Sequence, residues 1–162
     1  MDGLPRVGIG FDVHPFSDDP ARPLVLGGVT FSGERGLEGH SDADAVCHAA
    51  ADALLGSAGL GDLGQLFPDT DPAWKDADSV SLLAEVAGRV RAAGFGIGNV
   101  DCTVLSETPK IAPARSEMER NLSTAIGAAV SIKATRPEGL GSLGRSEGVA
   151  CLAVAVVIAT GT

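Results

Sequence analysis

Apolar residues recur at helical spacing in three stretches of the chain. Ala45, Val46, Ala49, Ala53 and Leu54 share one face of a helix running to about residue 55. Ser41 or Asp42 caps its start. Leu82, Leu83, Val86, Val90 and Ala93 stripe a second helix, which opens at Asp78 or Ser79 and stops at Gly94. Pro113 opens a third at a first-turn position, with Met118, Leu122, Ala125 and Ile126 facing inward. Residues 6–13, 23–30, 99–106, 130–135 and 149–159 read as strands. Between them lie a loop at 39–41, a Gly/Pro/Asp-rich loop at 59–72 and a Gly-rich loop ending at 148. Long loops of this kind often carry function. No repeat, linker or low-complexity segment interrupts the pattern, so residues 1–162 read as a single domain. The order predicts a mixed α/β (α+β) protein, with one sheet and helices packed on one face. The opening strand pair, 6–13 with 23–30, argues against a purely parallel sheet.

Composition changes this picture in two ways. Only 4% of residues are aromatic and none is tyrosine, so Ala, Val, Leu and Gly fill the core. Extra burial in an oligomer would help such a core. The formal charge of −9 argues against nucleic acid and against an anionic membrane surface. Phosphates must then be held by local devices: metal ions, helix N-termini or a few placed cations. Cys47, Cys102 and Cys151 have no metal-ligand spacing and fit free thiols of a cytoplasmic protein. The N-terminal residues lack a signal-peptide pattern. The longest apolar run, 149–159, is far below the ~20 residues that span a bilayer.

All three histidines, His14, His40 and His48, lie in the first third, each beside an Asp in sequence or one helical turn away. Asp12 and His14 sit two apart on a strand and so point to one face. His48 lies on the first helix, with Asp44 and Asp52 four residues before and after it. If that helix packs over the strand end, two imidazoles and one carboxylate leave an open position, as in a catalytic zinc site. Zinc–nitrogen distances there would be about 2.0–2.1 Å. The spacing leaves open whether Asp12 or Asp44 is the carboxylate ligand. Asp44 or Asp52 is then the outer acceptor that fixes the His48 tautomer. His40 and Ser41, just before the helix, suit a phosphate at its N-terminus, or Ser41 is a plain cap.

These residues stand in longer motifs. Gly10-Phe11-Asp12-Val13-His14 comes first, then His40-Ser41-Asp42-Ala43-Asp44 through His48. Asp52-Ala53-Leu54-Leu55-Gly56, Gly61-Asp62-Leu63-Gly64 and Leu66-Phe67-Pro68-Asp69-Thr70-Asp71-Pro72 follow. Gly98-Asn99-Val100-Asp101, Pro109-Lys110, Lys133-Ala134-Thr135 and Gly144-Arg145-Ser146-Glu147-Gly148 complete the series. In content and order it resembles the 2-C-methyl-D-erythritol 2,4-cyclodiphosphate synthase family over nearly the whole chain.

The resemblance implies a homotrimer with active sites between neighbouring subunits. The reaction it implies converts 4-diphosphocytidyl-2-C-methyl-D-erythritol 2-phosphate to a cyclic diphosphate and CMP, in the non-mevalonate route to isoprenoids. It implies zinc, or another divalent transition metal, on Asp12, His14 and His48. His40, Ser41 and Thr135 would hold phosphate. Asp62, Gly64, Phe67, Pro68 and Asp69 would line the methylerythritol side. Ser106, Lys110, Ile111, Ala112 and Ala134 of the adjacent subunit would surround cytidine. Glu138 would meet a second cation, magnesium or manganese, on the diphosphate. Phe11 and Arg145 would serve an axial channel that can hold an isoprenoid diphosphate.

Four departures from the family pattern matter. Arg136 replaces a usual Thr, and is expected to contact a substrate phosphate or an acidic loop nearby. Ala43 replaces a usual Gly, so no positive φ is expected there. Ser142 and Leu143 replace a common aromatic and a Thr, which weakens the axial-channel reading. Arg145 has a second reading, an ion pair with Glu147 or Glu138. Two other functions share the metal motif: a metal-dependent phosphohydrolase, and a non-catalytic trimer that binds nucleotide or isoprenoid diphosphate.

Overall fold

In the computed structural model, which describes residues 3–161, two sheets and a layer of helices form the molecule. The strands are β1 (Pro5–Pro15), β2 (Leu24–Leu26), β3 (Val29–Phe31), β4 (Phe95–Leu105), β5 (Ala129–Thr135) and β6 (Gly148–Ala159). The main sheet has the order β1-β6-β4-β5. β6 is antiparallel to both neighbours, and β4 and β5 run parallel. The helices are α1 (Ala45–Ala58), α2 (Leu63–Leu66), α3 (Ser79–Ala92), α4 (Arg115–Ile126) and α5 (Gly141–Gly144), with a 3-10 turn at Pro72–Trp74.

The mixed class holds, but the single sheet does not. Residues 23–30 form no partner for β1. They fold on themselves as the β2–β3 hairpin, a separate two-stranded sheet. Gly27 and Gly28 take φ of 58° and 70°, the signs a two-residue hairpin turn needs. β1 pairs instead with β6, the last strand.

Helix boundaries also moved. α1 starts at Ala45, capped by Asp44 rather than by Ser41 or Asp42, and runs past the expected residue 55 to Ala58, where Gly59, with φ of 72°, caps it. α4 begins at Arg115, because Pro113 lies in the turn before it. α3 is capped by Asp78, as the pattern suggests.

The packing of α1 on β1 places the site. β1 residues alternate between its two faces. An added Cβ at Gly8 would lie 2.0 Å from Ala53 O, and one at Gly10 1.9 Å from Ala49 O. Only glycine fits where the helix backbone rides against the strand. The helix matches it with small residues, since Ala45, Ala49, Ala50 and Ala53 are buried. Asp12 and His14 continue the same strand face beyond Gly10, under the turn that carries His48.

The other strand face is apolar and open. Val7, Ile9, Phe11 and Val13 of β1 are 48–70% exposed, and Leu152, Val154 and Ile158 of β6 lie on the surface beside them. No helix among the described residues is long and apolar enough to cross a membrane.

Candidate metal centre and nucleotide pocket

The end of β1 and the first turns of α1 converge on one point. Asp12 Oδ2 lies 2.8 Å from His14 Nε2 and 2.9 Å from His48 Nδ1. The two ring nitrogens are 3.3 Å apart. One ligand atom from each residue lies within 4.8 Å of the others. Burial raises the Asp12 pKa, but the hydrogen bonds of His14 and His48 outweigh it, and its carboxyl is held below the usual range. Burial lowers the His48 pKa, and the Asp12 carboxylate more than reverses this, so it is raised. An anion and two imidazoles this close are a donor set for a divalent transition metal.

Both ring tautomers are set from behind. His14 Nδ1–H donates to Glu38 O at 2.7 Å, so a neutral His14 would offer its Nε2 lone pair to a metal ion in place of the Nε2–H bond to Asp12. The Ser79 hydroxyl donates to Asp42, so at 2.9 Å it accepts from His48 Nε2–H. Ser41 Oγ lies 3.1 Å from the same nitrogen. A neutral His48 would therefore offer its Nδ1 lone pair to a metal ion at the centre, in place of the Nδ1–H bond to Asp12. Ser79 and Asp42 were missed by sequence reasoning, because no local spacing links residue 79 to residue 48.

Asp44 and Asp52 do other work than expected. Asp44 is fully buried. Its carboxylate accepts from the amides of Val46 and Cys47, and from Gly27 and Gly28 at 2.9 and 2.8 Å. It is the cap that ties the hairpin turn to α1, and neither a metal ligand nor a partner of His48. Spacing of four implies a shared face only inside a helix, and residue 44 lies just outside it. Burial raises the Asp44 pKa, against the pull of the Gly28 and Gly27 amides. Asp52 accepts from Leu63 N–H at 2.7 Å and so anchors α2 rather than an imidazole. Burial raises its pKa as well.

The 37–41 loop is fastened by a residue with no sequence signature. Arg22 donates to Leu37 O, to Gly39 O at 3.1 Å and to Ser41 O at 2.6 Å. His40 Nε2–H donates to Asp71 O at 3.2 Å. The expected phosphate site at the α1 N-terminus is not free, since Asp44 takes the Val46 and Cys47 amides. Ala43 corrects a further expectation. Its φ is 57°, in the left-handed region that costs an alanine roughly 1–2 kcal/mol.

Around this centre lies a cavity of about 550 Å³. His40, Ser41, Gly64, Phe67, Pro68 and Asp69 all line it. Trp74, which sequence reasoning passed over, closes one wall edge-on to Phe67 with ring centres 4.8 Å apart. Asp62 does not line it. It caps α2, accepting from Gln65 N–H at 2.9 Å.

A second cavity, of about 1170 Å³, lies at the far ends of β4 and β5. Ser106, Lys110, Ile111 and Ala112 line it from the segment after β4. Ala134, Thr135, Arg136 and Glu138 line it from the end of β5 and the turn beyond. The two cavities share no lining residue. Arg136 meets Glu107, Nε to Oε2 at 3.3 Å. Arg145 pairs with Glu147 at 2.6 Å, and Phe11 stands on the open face of β1.

A family model described as the YgbB family matches residues 5–158. The 2-C-methyl-D-erythritol 2,4-cyclodiphosphate synthase of Enterococcus faecalis is 53% identical over 155 residues, covering 94% of this chain and 98% of that protein. The bifunctional IspDF of Campylobacter jejuni superimposes with a TM-score of 0.92 at 39% identity, covering 98% of this chain and 43% of that one. A CDP complex of IspF from Plasmodium falciparum superimposes at 0.83 with 30% identity, covering 97% of each chain. With a match over residues 5–158 and such identity across both lengths, the chain belongs to the YgbB family, that of the 2-C-methyl-D-erythritol 2,4-cyclodiphosphate synthases.

Proposed function

We propose that the chain converts 4-diphosphocytidyl-2-C-methyl-D-erythritol 2-phosphate to 2-C-methyl-D-erythritol 2,4-cyclodiphosphate and CMP, a phosphorus–oxygen lyase reaction of isoprenoid synthesis. The observation that carries this reading is the Asp12, His14 and His48 cluster on the wall of a cavity, in a chain with these relatives.

An oxygen of the 2-phosphate attacks the β-phosphorus of the same molecule. The new O–P bond forms as the bond from the β-phosphorus to the bridging oxygen breaks, and CMP leaves with that electron pair. The nucleophile is already ionised, so no general base is required. The reaction is intramolecular, and holding its two ends in line can supply much of the barrier lowering, up to ~7–11 kcal/mol by analogy with effective molarities.

Zinc, or another divalent transition metal, bound to Asp12, His14 and His48 supplies Lewis acidity to a phosphoryl oxygen. A lone carboxylate completed by substrate phosphates is how magnesium or manganese is commonly held, and exposed Glu138 fits that role. His40 and Ser41 bind phosphate through the imidazole and hydroxyl. Gly64, Phe67, Pro68 and Asp69 hold the methylerythritol carbons against water, and Asp62 acts through the α2 cap. Ser106, Lys110, Ile111, Ala112 and Ala134 take cytidine and its phosphates, with Thr135 and Arg136 beside the diphosphate.

The assembly we propose is a homotrimer whose subunits each lend one cavity to a neighbour. Two half-sites without a common residue support it, and so does the uncovered apolar face of β1 and β6. Phe11 would face the three-fold axis, and Arg145 would join it on release from Glu147. Three free buried cysteines support a cytoplasmic setting.

Phosphorus NMR of the protein with this substrate, zinc and magnesium tests the activity. The expected products are CMP and a cyclic diphosphate. CMP with an uncyclised product would make the protein a hydrolase, and bound but unchanged substrate would make it a binding protein.

A further inference from the structure

Glu107 follows β4 and is mostly buried, with its side chain 15% exposed, yet the catalytic reading gives it no task. Its two oxygens have different partners. Oε1 accepts from Gly139 N–H at 2.9 Å, and Oε2 meets Arg136 Nε at 3.3 Å. Arg136 immediately precedes, and Gly139 lies within, the turn at 137–140, which is closed by Leu140 N–H donating to Pro137 O at 3.0 Å. Glu138 and Gly139, the central residues, have φ of 54° and 75°. A left-handed glutamate is an unfavoured conformation that persists only where its surroundings over-determine it. Glu107 is the side chain that ties this turn back to the main sheet. Thr135, Arg136 and Glu138, which the turn carries, all line the larger cavity beside Lys110.

We propose that Glu107 is a positioning residue, which grips Arg136 just before the 137–140 turn and Gly139 within it, and so presents Thr135, Arg136 and Glu138 to the diphosphate of the nucleotide. The proposal rests on the assignment of that cavity to the cytidine side. Glu107 itself lines that cavity, but both its carboxylate oxygens are engaged by Arg136 and Gly139, so its part is to position. It fixes the backbone on which the phosphate-facing groups stand, and it keeps the Arg136 guanidinium at the cavity edge when no anion is present.

The test compares CDP with cytidine, which lacks the phosphates, by calorimetry on wild type, Glu107→Ala and Glu107→Gln, all checked for equal zinc content. The Ala variant is expected to lose about tenfold in CDP affinity, the equivalent of one charge-assisted hydrogen bond, with cytidine affinity unchanged. The Gln variant can still accept from Gly139 N–H, and is expected to recover most of that loss. Hydrogen exchange at the Gly139 amide should quicken in Ala and not in Gln. Unchanged CDP affinity in the Ala variant would overturn the proposal. So would an equal loss for cytidine, which would make Glu107 a support of the base pocket or of the fold. If wild type binds neither compound, the cytidine assignment falls first and this proposal with it.

Discussion

Around Asp12, His14 and His48 the polar side chains are held by partners from the same chain, down to the Glu38 carbonyl behind one imidazole and Ser79 behind the other. In the larger cavity, Lys110, Thr135, Arg136 and Glu138 stand exposed, and among the described residues the Arg136–Glu107 pair is the only side-chain hydrogen bond made by any of them. The first region is a preorganised centre that one chain can complete. The second has its groups in place but faces outward, as half of a site does. On the proposed reading, the contrast means that the metal donor set is assembled within one chain, whereas nucleotide capture would depend on what a neighbouring copy brings.

The largest effect separates the two regions outright. His48→Ala should remove the metal and lower turnover by about three orders of magnitude, the scale of several kcal/mol of Lewis-acid stabilisation. Cytidine affinity should stay within about threefold, because the residues proposed to take it line the other cavity. Metal analysis, initial rates and calorimetry on one preparation check this. A parallel fall in cytidine affinity would mean that the halves are not independent.

Next in size is complementation. His48→Ala chains and Lys110→Ala chains are each expected to be nearly inactive. Unfolded together and refolded, they should regain activity in about a quarter of the sites, since a random mixture pairs an intact metal half with an intact nucleotide half that often. No recovery, with mixed oligomers demonstrated by mass, would place both cavities of a working site in one chain.

The metal half rests on Arg22, and its removal is the third effect. Arg22→Ala leaves three loop carbonyls without their donor, at a cost of about 2 kcal/mol in stability. Zinc affinity should fall roughly tenfold through the loosened Glu38 carbonyl, as for other outer partners of metal ligands. Denaturant titration and zinc competition measure the two losses. A stability loss with zinc affinity intact would show that His14 is oriented by its strand alone.

How much of this was legible follows the range of the interactions. Asp12 and His14 could be read because a strand repeats every two residues, and α1 because its alanines repeat at helical spacing. The Gly8 and Gly10 contacts that bring the two together are long-range, so packing of helix on strand had to be supposed. The same limit explains the misreadings. The Gly27-Gly28 turn was hidden inside an apolar run that read as one strand. Asp44 was read as an alternative ligand or an outer acceptor of His48 because its place outside the helix could not be seen. Ser79 acts on His48 and Asp42 on Ser79 across sequence separations of 31 and 37, and Arg22 acts through backbone carbonyls 15 to 19 positions away; neither leaves a periodic trace. The nucleotide-side residues were found through family resemblance alone. Lys110, Ile111 and Ala134 carry no pattern that composition or spacing could single out.

The smallest effect probes how tightly the metal half is coupled. Ala43 holds a φ of 57° and is fully buried. Glycine there would relieve about 1–2 kcal/mol of left-handed strain. It would also give up a buried methyl, worth about 0.8 kcal/mol, and add freedom to the unfolded chain, worth about 0.4–1 kcal/mol. The terms nearly cancel, so Ala43→Gly should shift the melting temperature by only about 2 °C in either direction. The neighbouring contact decides whether zinc binding follows. An added Cβ at Gly39 would meet Ala43 Cβ at 2.8 Å and His14 Cε1 at 3.2 Å, so residues 39, 43 and 14 occupy one tight corner. If the His14 ring is held by the Glu38 carbonyl, loss of the Ala43 methyl leaves zinc affinity unchanged. If the ring is held by steric contact in that corner, the variant binds zinc more weakly at equal stability, and the centre is less independently built than its hydrogen bonds imply.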